Sequence, residues 1–143
     1  MTNWTSYEGS CYCGAIGFRY NTAMPPGNWS IRACQCRFCR AHDALSASDP
    51  EGTLEFFCNN SDHLQRFRFA LKTADFLLCR ECGVYIGAVI DTPSGSYGII
   101  NTHALNETPD DIAEVGAINY EGEDTSGRVN RREERWTPVT AED

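Results

Sequence analysis

Seven of the chain's eight cysteines fall in three tight groups: Cys11-Tyr12-Cys13, Cys34-Gln35-Cys36-Arg37-Phe38-Cys39 and Cys79-Arg80-Glu81-Cys82. Cys58 stands alone between the second and third. Thiolate sulfur is a strong, soft ligand for zinc, and cysteines one or two residues apart are spaced to share an ion. Disulfides are one reading of the groups, but a bridge between Cys11 and Cys13 would be cramped, and the apparent compartment is reducing. A purely structural role for all seven is a second. The count favours a third, two zinc sites of different character. Cys11 and Cys13 with Cys79 and Cys82 make a four-sulfur set that saturates one ion, so that site stabilises and does not react. Cys34, Cys36 and Cys39 supply three ligands and leave a fourth position for water, a substrate thiolate or a carbonyl oxygen. A thiolate-rich site donates much charge to its metal, which suits thiol chemistry better than demanding hydrolysis.

The residues around the central group extend that chemistry. Arg37 and Arg40 are candidates to grip the carboxylates of a small anionic substrate, which a guanidinium can do with two parallel hydrogen bonds. His42, three residues past Cys39, is a candidate to move a proton near pH 7 or to fill the fourth zinc position. His63, His103 and Cys58 have no partner in sequence and read as surface or packing residues. Tyr12, Phe38 and Tyr85 could line a pocket, although aromatic residues beside such turns more often pack.

The elements that must position these groups are short strands divided by turn signals. Ala15–Tyr20 alternates, with Ile16, Phe18 and Tyr20 on one face. Trp29–Ala33 alternates and runs into Cys34, and Arg37–His42 has the length of one helical turn. Thr53–Cys58 and Leu64–Leu71, the latter with Phe67, Phe69 and Leu71 sharing a face, read as a hairpin around Asn59–Asp62. Ala74–Leu78 leads into Cys79, Val84–Ile90 leaves Cys82, and Tyr97–Asn101 returns. Strand, Cys-x-x-Cys-Gly, strand is the zinc-knuckle pattern, in which a tight turn aims backbone N–H groups at sulfur. Thr108-Pro109-Asp110-Asp111 is the best helix start, which predicts a short helix near 109–115. Tyr120–Arg135 is charge-dense and reads as a solvated loop, and Trp136–Val139 as a terminal edge strand.

Composition sets the outer bounds. The 143 residues carry a net charge of -8, with 41% hydrophobic residues, as expected for one soluble domain. Residues 1–90 balance eight acids against eight bases, whereas 91–143 hold twelve acids and four bases. That balance disfavours nucleic-acid binding, which relies on clustered cations. No basic n-region precedes an apolar stretch at the start, and no run approaches the roughly 20 apolar residues of a membrane span. The expected location is cytoplasmic.

In order and spacing, Gly9-Ser10-Cys11-Tyr12-Cys13-Gly14-Ala15-Ile16, Cys34-Gln35-Cys36-Arg37-Phe38-Cys39-Arg40 and Cys79-Arg80-Glu81-Cys82-Gly83 together resemble the glutathione-dependent formaldehyde-activating (GFA) enzyme family, whose domain also occurs in centromere protein V. The resemblance covers residues 5 to about 105 as a core, leaving 106–143 as an acidic extension of a single domain. It implies an all-β, tent-like sandwich of antiparallel sheets with two Zn²⁺ ions. The structural one would sit on Cys11, Cys13, Cys79 and Cys82 and the catalytic one on Cys34, Cys36 and Cys39. It also implies a carbon–sulfur lyase acting on a small thiol conjugate such as a glutathione adduct. The competing class is a non-catalytic zinc module for protein interaction. The chain departs from the family at Gln35, where members usually have His, and at Ala41-His42-Asp43-Ala44-Leu45, where they usually have a run of small residues.

Overall fold

The computed structural model describes residues 4–68, 73–118 and 123–142. Thr5–Ser10 (β1) and Ile16–Thr22 (β2) form a hairpin through the first cysteine turn. Ile31–Cys34 (β3), the helix Arg37–Ala41 (α1) and Ser46–Ala47 (β4) frame the second cysteine group. Thr53–Cys58 (β5), Leu64–Phe67 (β6), Asp75–Cys79 (β7), Tyr85–Thr92 (β8) and Gly95–Asn101 (β9) follow. Val115–Ile118 (β10), the helix Thr125–Arg135 (α2) and Thr137–Glu142 (β11) complete the chain.

The class is all-β, as expected, but the eleven strands join in one branched sheet. Two of its pairings are parallel, β10 with β3 and β11 with β5, so the sheet is mixed where antiparallel sheets were expected. One row runs β1-β2-β5-β11-β9, then through β4 and β3 to β10, and β8, β7 and β6 continue from the other edge of β9. Alternation in β2 works as read: Ile16, Phe18 and Tyr20 are buried with Leu54, Phe56 and Ile100 in one apolar cluster. A second cluster gathers Phe76, Tyr85, Ala88, Ile90, Ile99 and Trp136 around Cys39. From Tyr85 to Ile90 strand β8 is buried at every position, which explains its unbroken apolar run.

Close backbone approach fixes Gly87. A Cβ there would lie 2.3 Å from the Ile99 carbonyl oxygen and 3.2 Å from a Phe56 ring carbon. The expected cost of Gly87→Ala is about 1–3 kcal/mol from overpacking, checked by urea denaturation against the parent chain.

Four sequence expectations are corrected. β5 and β6 are not a hairpin: β5 pairs with β2 and β11, and β6 with β7. Phe69 and Leu71, expected on the face of Phe67, lie outside the described residues. The helix near 109–115 is absent. Thr108–Glu114 makes a turn at Asp110-Asp111, the Ala113 N–H donates to Pro26 O at 3.0 Å, and the chain enters β10 alongside β3. Pairing along β3 outweighs the local cap signal. The charge-dense stretch instead folds as α2, capped by Asp124, whose side chain accepts from Gly127 N at 2.7 Å. Finally, β11 is no edge strand, since it lies between β5 and β9.

Candidate metal centres

Two matching turns build the four-cysteine group. In the first, Cys11 N donates to Ile16 O at 3.0 Å and Gly14 N to Cys11 O at 3.2 Å; in the second, Cys79 N donates to Val84 O at 3.0 Å and Gly83 N to Cys79 O at 2.8 Å. Gly14 and Gly83 close these turns at φ of +81° and +80°. The site of a Cβ is empty at both, so glycine is required there by conformation and not by space. Each turn aims an N–H at sulfur: Ile16 N at Cys11 Sγ and Cys82 N at Cys79 Sγ, both at 3.5 Å.

All four sulfurs lie within 4.8 Å of one another, with Cys11–Cys13 at 3.7 Å and Cys13–Cys79 at 3.5 Å. Thiolates at zinc's bonding distance occupy tetrahedron corners about 3.8 Å apart. The group therefore fits a zinc ion with little movement. Without metal the protons divide unevenly. Burial works against the Cys82 thiolate, but the N–H groups of Cys13 and Val84 bring it down to about 6. The Ala15 N–H favours the Cys13 thiolate, yet its sulfur neighbours, Cys79 foremost, push it up to about 12.

The central group is a trio. Cys34 closes β3, Cys36 is the N-cap of α1, and Cys39 sits buried within that helix. Their sulfurs also lie within 4.8 Å of one another, and among the described residues no fourth His, Cys, Asp or Glu joins them. Cys36 Sγ accepts from Cys39 N at 3.4 Å. A hydrogen bond from Cys39 holds Cys34 at about 5 against the effect of burial, with the Arg131 charge adding to the pull. The same bond, together with burial, pushes the Cys39 thiol up.

The sequence-level candidates scatter around this trio. Arg37 is exposed, and Arg40, also exposed, donates from Nε to Gln35 O at 3.0 Å, which ties the loop to its helix. The Gln35 amide turns back to Ala33 O at 2.8 Å. His42 ends α1 with its ring 4.4 Å from that of Phe38 and does not complete the sulfur group. His103 faces Asp43 at 3.8 Å, and half-buried Cys58 packs on the first cluster without joining either sulfur group.

Sequence reading offered Phe38 and Tyr85 as possible pocket-lining residues and missed two neighbours of the trio, Arg131 and Arg132. Phe38 stacks at 5.8 Å on Phe67 and meets Phe76 and Tyr85 edge-on at 5.0 and 5.3 Å, forming an aromatic wall. Tyr85 joins that wall through a bulge: Leu77 pairs with Gly87 but Leu78 with Tyr85, so Ile86 is an extra residue in β8. Regular pleating would put Tyr85 on the face of Val89, in the first cluster; the bulge puts it in the second with Ala88 and Ile90. The two missed neighbours, Arg131 and Arg132, belong to α2. Val129, Arg132 and Trp136 fall at i, i+3 and i+7, a one-face spacing that the intervening charges hid.

The pattern of the glutathione-dependent formaldehyde-activating enzyme family matches residues 6–121, a span that contains both cysteine groups and stops short of α2. A solved structure of a Rhodobacter sphaeroides protein is similar, with a TM-score of 0.56 and 26% identity, over 78% of this chain and 99% of that one. No curated protein sequence matches. Among the described residues no helix is long and apolar enough to cross a membrane. On the cysteine turns, the two sulfur groups they build and the span of the match, the chain belongs to the glutathione-dependent formaldehyde-activating enzyme family.

Proposed function

We propose that the chain is a zinc-dependent carbon–sulfur lyase of the thiol-adduct type, working on a small thiol conjugate such as a glutathione adduct. The observation that carries this reading is the inequality of the two groups: four converging sulfurs in one and three in the other, all among the described residues. When bound to the trio, zinc supplies a Lewis-acid position that favours a thiolate over a thiol and polarises a carbonyl oxygen. Cys34, Cys36 and Cys39 would hold it, with the Cys39 N–H steadying Cys36. Cys11, Cys13, Cys79 and Cys82 would hold the structural ion.

In the forward direction the thiol sulfur attacks an aldehyde carbon, a carbon–sulfur bond forms, and the carbonyl π pair moves to oxygen. The thiol proton ends on that oxygen, and no electrons leave the pair of reactants. Cleavage is the reverse. In this reading His42 moves the proton, and exposed Arg37 and Arg40 meet a substrate carboxylate at the rim. The wall of Phe38, Phe76 and Tyr85 keeps water from one side of the trio. A reducing cytoplasm would keep the thiolates competent.

The test is exchange between free formaldehyde and its glutathione adduct, followed by NMR on zinc-loaded protein at pH 7. Acceleration over the protein-free mixture is expected. No acceleration with glutathione, cysteine or other small thiols would favour the interaction-module reading, to which Tyr12 lends weight, since it stands 92% exposed in the first cysteine turn.

A further inference from the structure

Among the described residues, two buried polar atoms near the trio find no hydrogen-bond partner: Tyr85 Oη and Arg132 Nε. Tyr85 is only 2% exposed and Arg132 only 6%. Both belong to the part of the molecule that surrounds the trio. Tyr85 and Trp136 pack in the cluster that contains Cys39, Val129 of α2 packs against it, and the Arg132 guanidinium lies 4.7 Å over the Trp136 ring. Burial pushes the Tyr85 hydroxyl well above its usual range, the charge of Cys39 adds to the push, and the Arg132 charge opposes it.

Burying such atoms unpaired is costly. A buried phenol without a partner forfeits the hydration of its hydroxyl, and a buried guanidinium without a counter-charge costs more. Arg132 has one hydrogen bond, to the Thr73 hydroxyl, and no carboxylate among the described residues pairs with it. The acid supplied by this region is already committed: Glu123 accepts from Arg131 Nε at 2.7 Å and from Arg128 Nε at 3.3 Å. Burial together with the charges of Arg131 and Arg128 brings Arg132 down to about 10, so it still carries its charge at neutral pH. Glu123 thus serves Arg128 and Arg131 and leaves Arg132 with the Thr73 hydroxyl. The bulge that turns Tyr85 out of the first cluster adds a neutral donor on the same side.

An anion bound beside the trio would satisfy Tyr85 Oη and Arg132 Nε together. We propose that Tyr85 and Arg132 form an anion-binding subsite next to Cys34, Cys36 and Cys39, which takes a carboxylate or oxyanion carried by the thiol substrate. The inference rests on the thiol-adduct reading and adds to it the sign and place of substrate charge. Because α2 lies beyond residues 6–121, this chain brings its charge selection on a segment the family pattern does not cover. Arg37 and Arg40 at the rim remain available to a second carboxylate, and glutathione carries two.

The test uses the whole chain with cobalt(II) replacing zinc and reads the thiolate-to-cobalt absorption band as small thiols are added. The probes are mercaptoacetate, 2-mercaptoethanol and cysteamine, which carry negative, neutral and positive groups on similar frames. In the parent chain mercaptoacetate is expected to bind at least tenfold more tightly than 2-mercaptoethanol, with cysteamine weakest. Tyr85→Phe, which keeps the ring and loses only the hydroxyl, should narrow the preference several-fold. Arg132→Met should abolish it, and Arg132→Lys, which keeps the charge and guards against misfolding of the Met variant, should retain part of it. Equal affinities across the series in the parent chain would overturn the subsite, as would an undiminished preference in both Tyr85→Phe and Arg132→Met. A separate failure, in which no thiol perturbs the cobalt spectrum, would remove the open metal position itself.

Discussion

Cys79→Ser is expected to lower the metal content from two zinc ions per chain to one or fewer, and to leave the protein largely unfolded at room temperature. The reason is where Cys79 sits. It ends β7, is buried, and its sulfur meets that of Cys13, 66 positions away in sequence, at 3.5 Å. The four-sulfur group therefore fastens the β1–β2 turn to the β7–β8 turn. Structural zinc bound by such ligands contributes on the order of 10 kcal/mol in small zinc domains, comparable to the whole stability of a typical domain. A serine hydroxyl is a poor substitute for thiolate and would leave Cys11, Cys13 and Cys82 as unpaired, charge-prone sulfurs. Elemental analysis and thermal melting followed by circular dichroism check this. A variant that melts like the parent with two ions per chain would show that this group does not hold the fold.

Cys36→Ser should have the opposite profile, with the fold intact and the chemistry gone. Cys36 is the N-cap of α1, in extended backbone conformation at φ -64° and ψ 156°, with its sulfur accepting from Cys39 N. Serine is among the best N-cap residues, so the helix start survives the change. What is lost is one of three metal ligands, and two remaining thiolates do not hold zinc firmly. The expected result is one ion per chain, an unchanged melting curve, and adduct turnover reduced at least a hundredfold, to the protein-free rate. Full turnover in Cys36→Ser would remove the trio from the chemistry. The contrast between the two serine variants matters more than either alone, because it assigns different work to chemically similar groups.

The cysteine turns were legible in the sequence because each is a short-range device. A cysteine spacing, a glycine at positive φ and an alternating strand such as Ile16–Tyr20 act over a handful of residues, and the folded chain uses them as read. Long-range pairing was not legible. β5 looked like a partner for the next strand, yet it pairs with β2 and β11, and nothing local in Thr53–Cys58 announces that choice. The expected helix at 109–115 had a sound cap signal, but β3 offered an edge, and Val115–Ile118 took it as a parallel strand.

The largest loss was α2. Its inward face is half-buried Val129 and buried Arg132, continued by Trp136 just past its end, and a buried arginine breaks the apolar stripe by which amphipathic helices are recognised. The residue that hid the helix is the one left with an unpaired donor beside the sulfur trio. Tyr85 was named as a possible pocket-lining residue, but its facing depends on a bulge that period-two counting does not foresee. Both features lie next to the candidate site, where local regularity gives way to placement of polar groups.

Zinc K-edge X-ray absorption on the fully loaded chain bears most directly on the division of sulfur between the two groups. The expected spectrum averages about three and a half sulfurs per zinc at about 2.3 Å, with a lighter oxygen or nitrogen scatterer completing the shell. A glutathione adduct should raise the sulfur average as substrate thiolate takes the open place. Four sulfurs per ion in the free protein, or a single zinc per chain with no lighter neighbour, would contradict an open metal position on Cys34, Cys36 and Cys39.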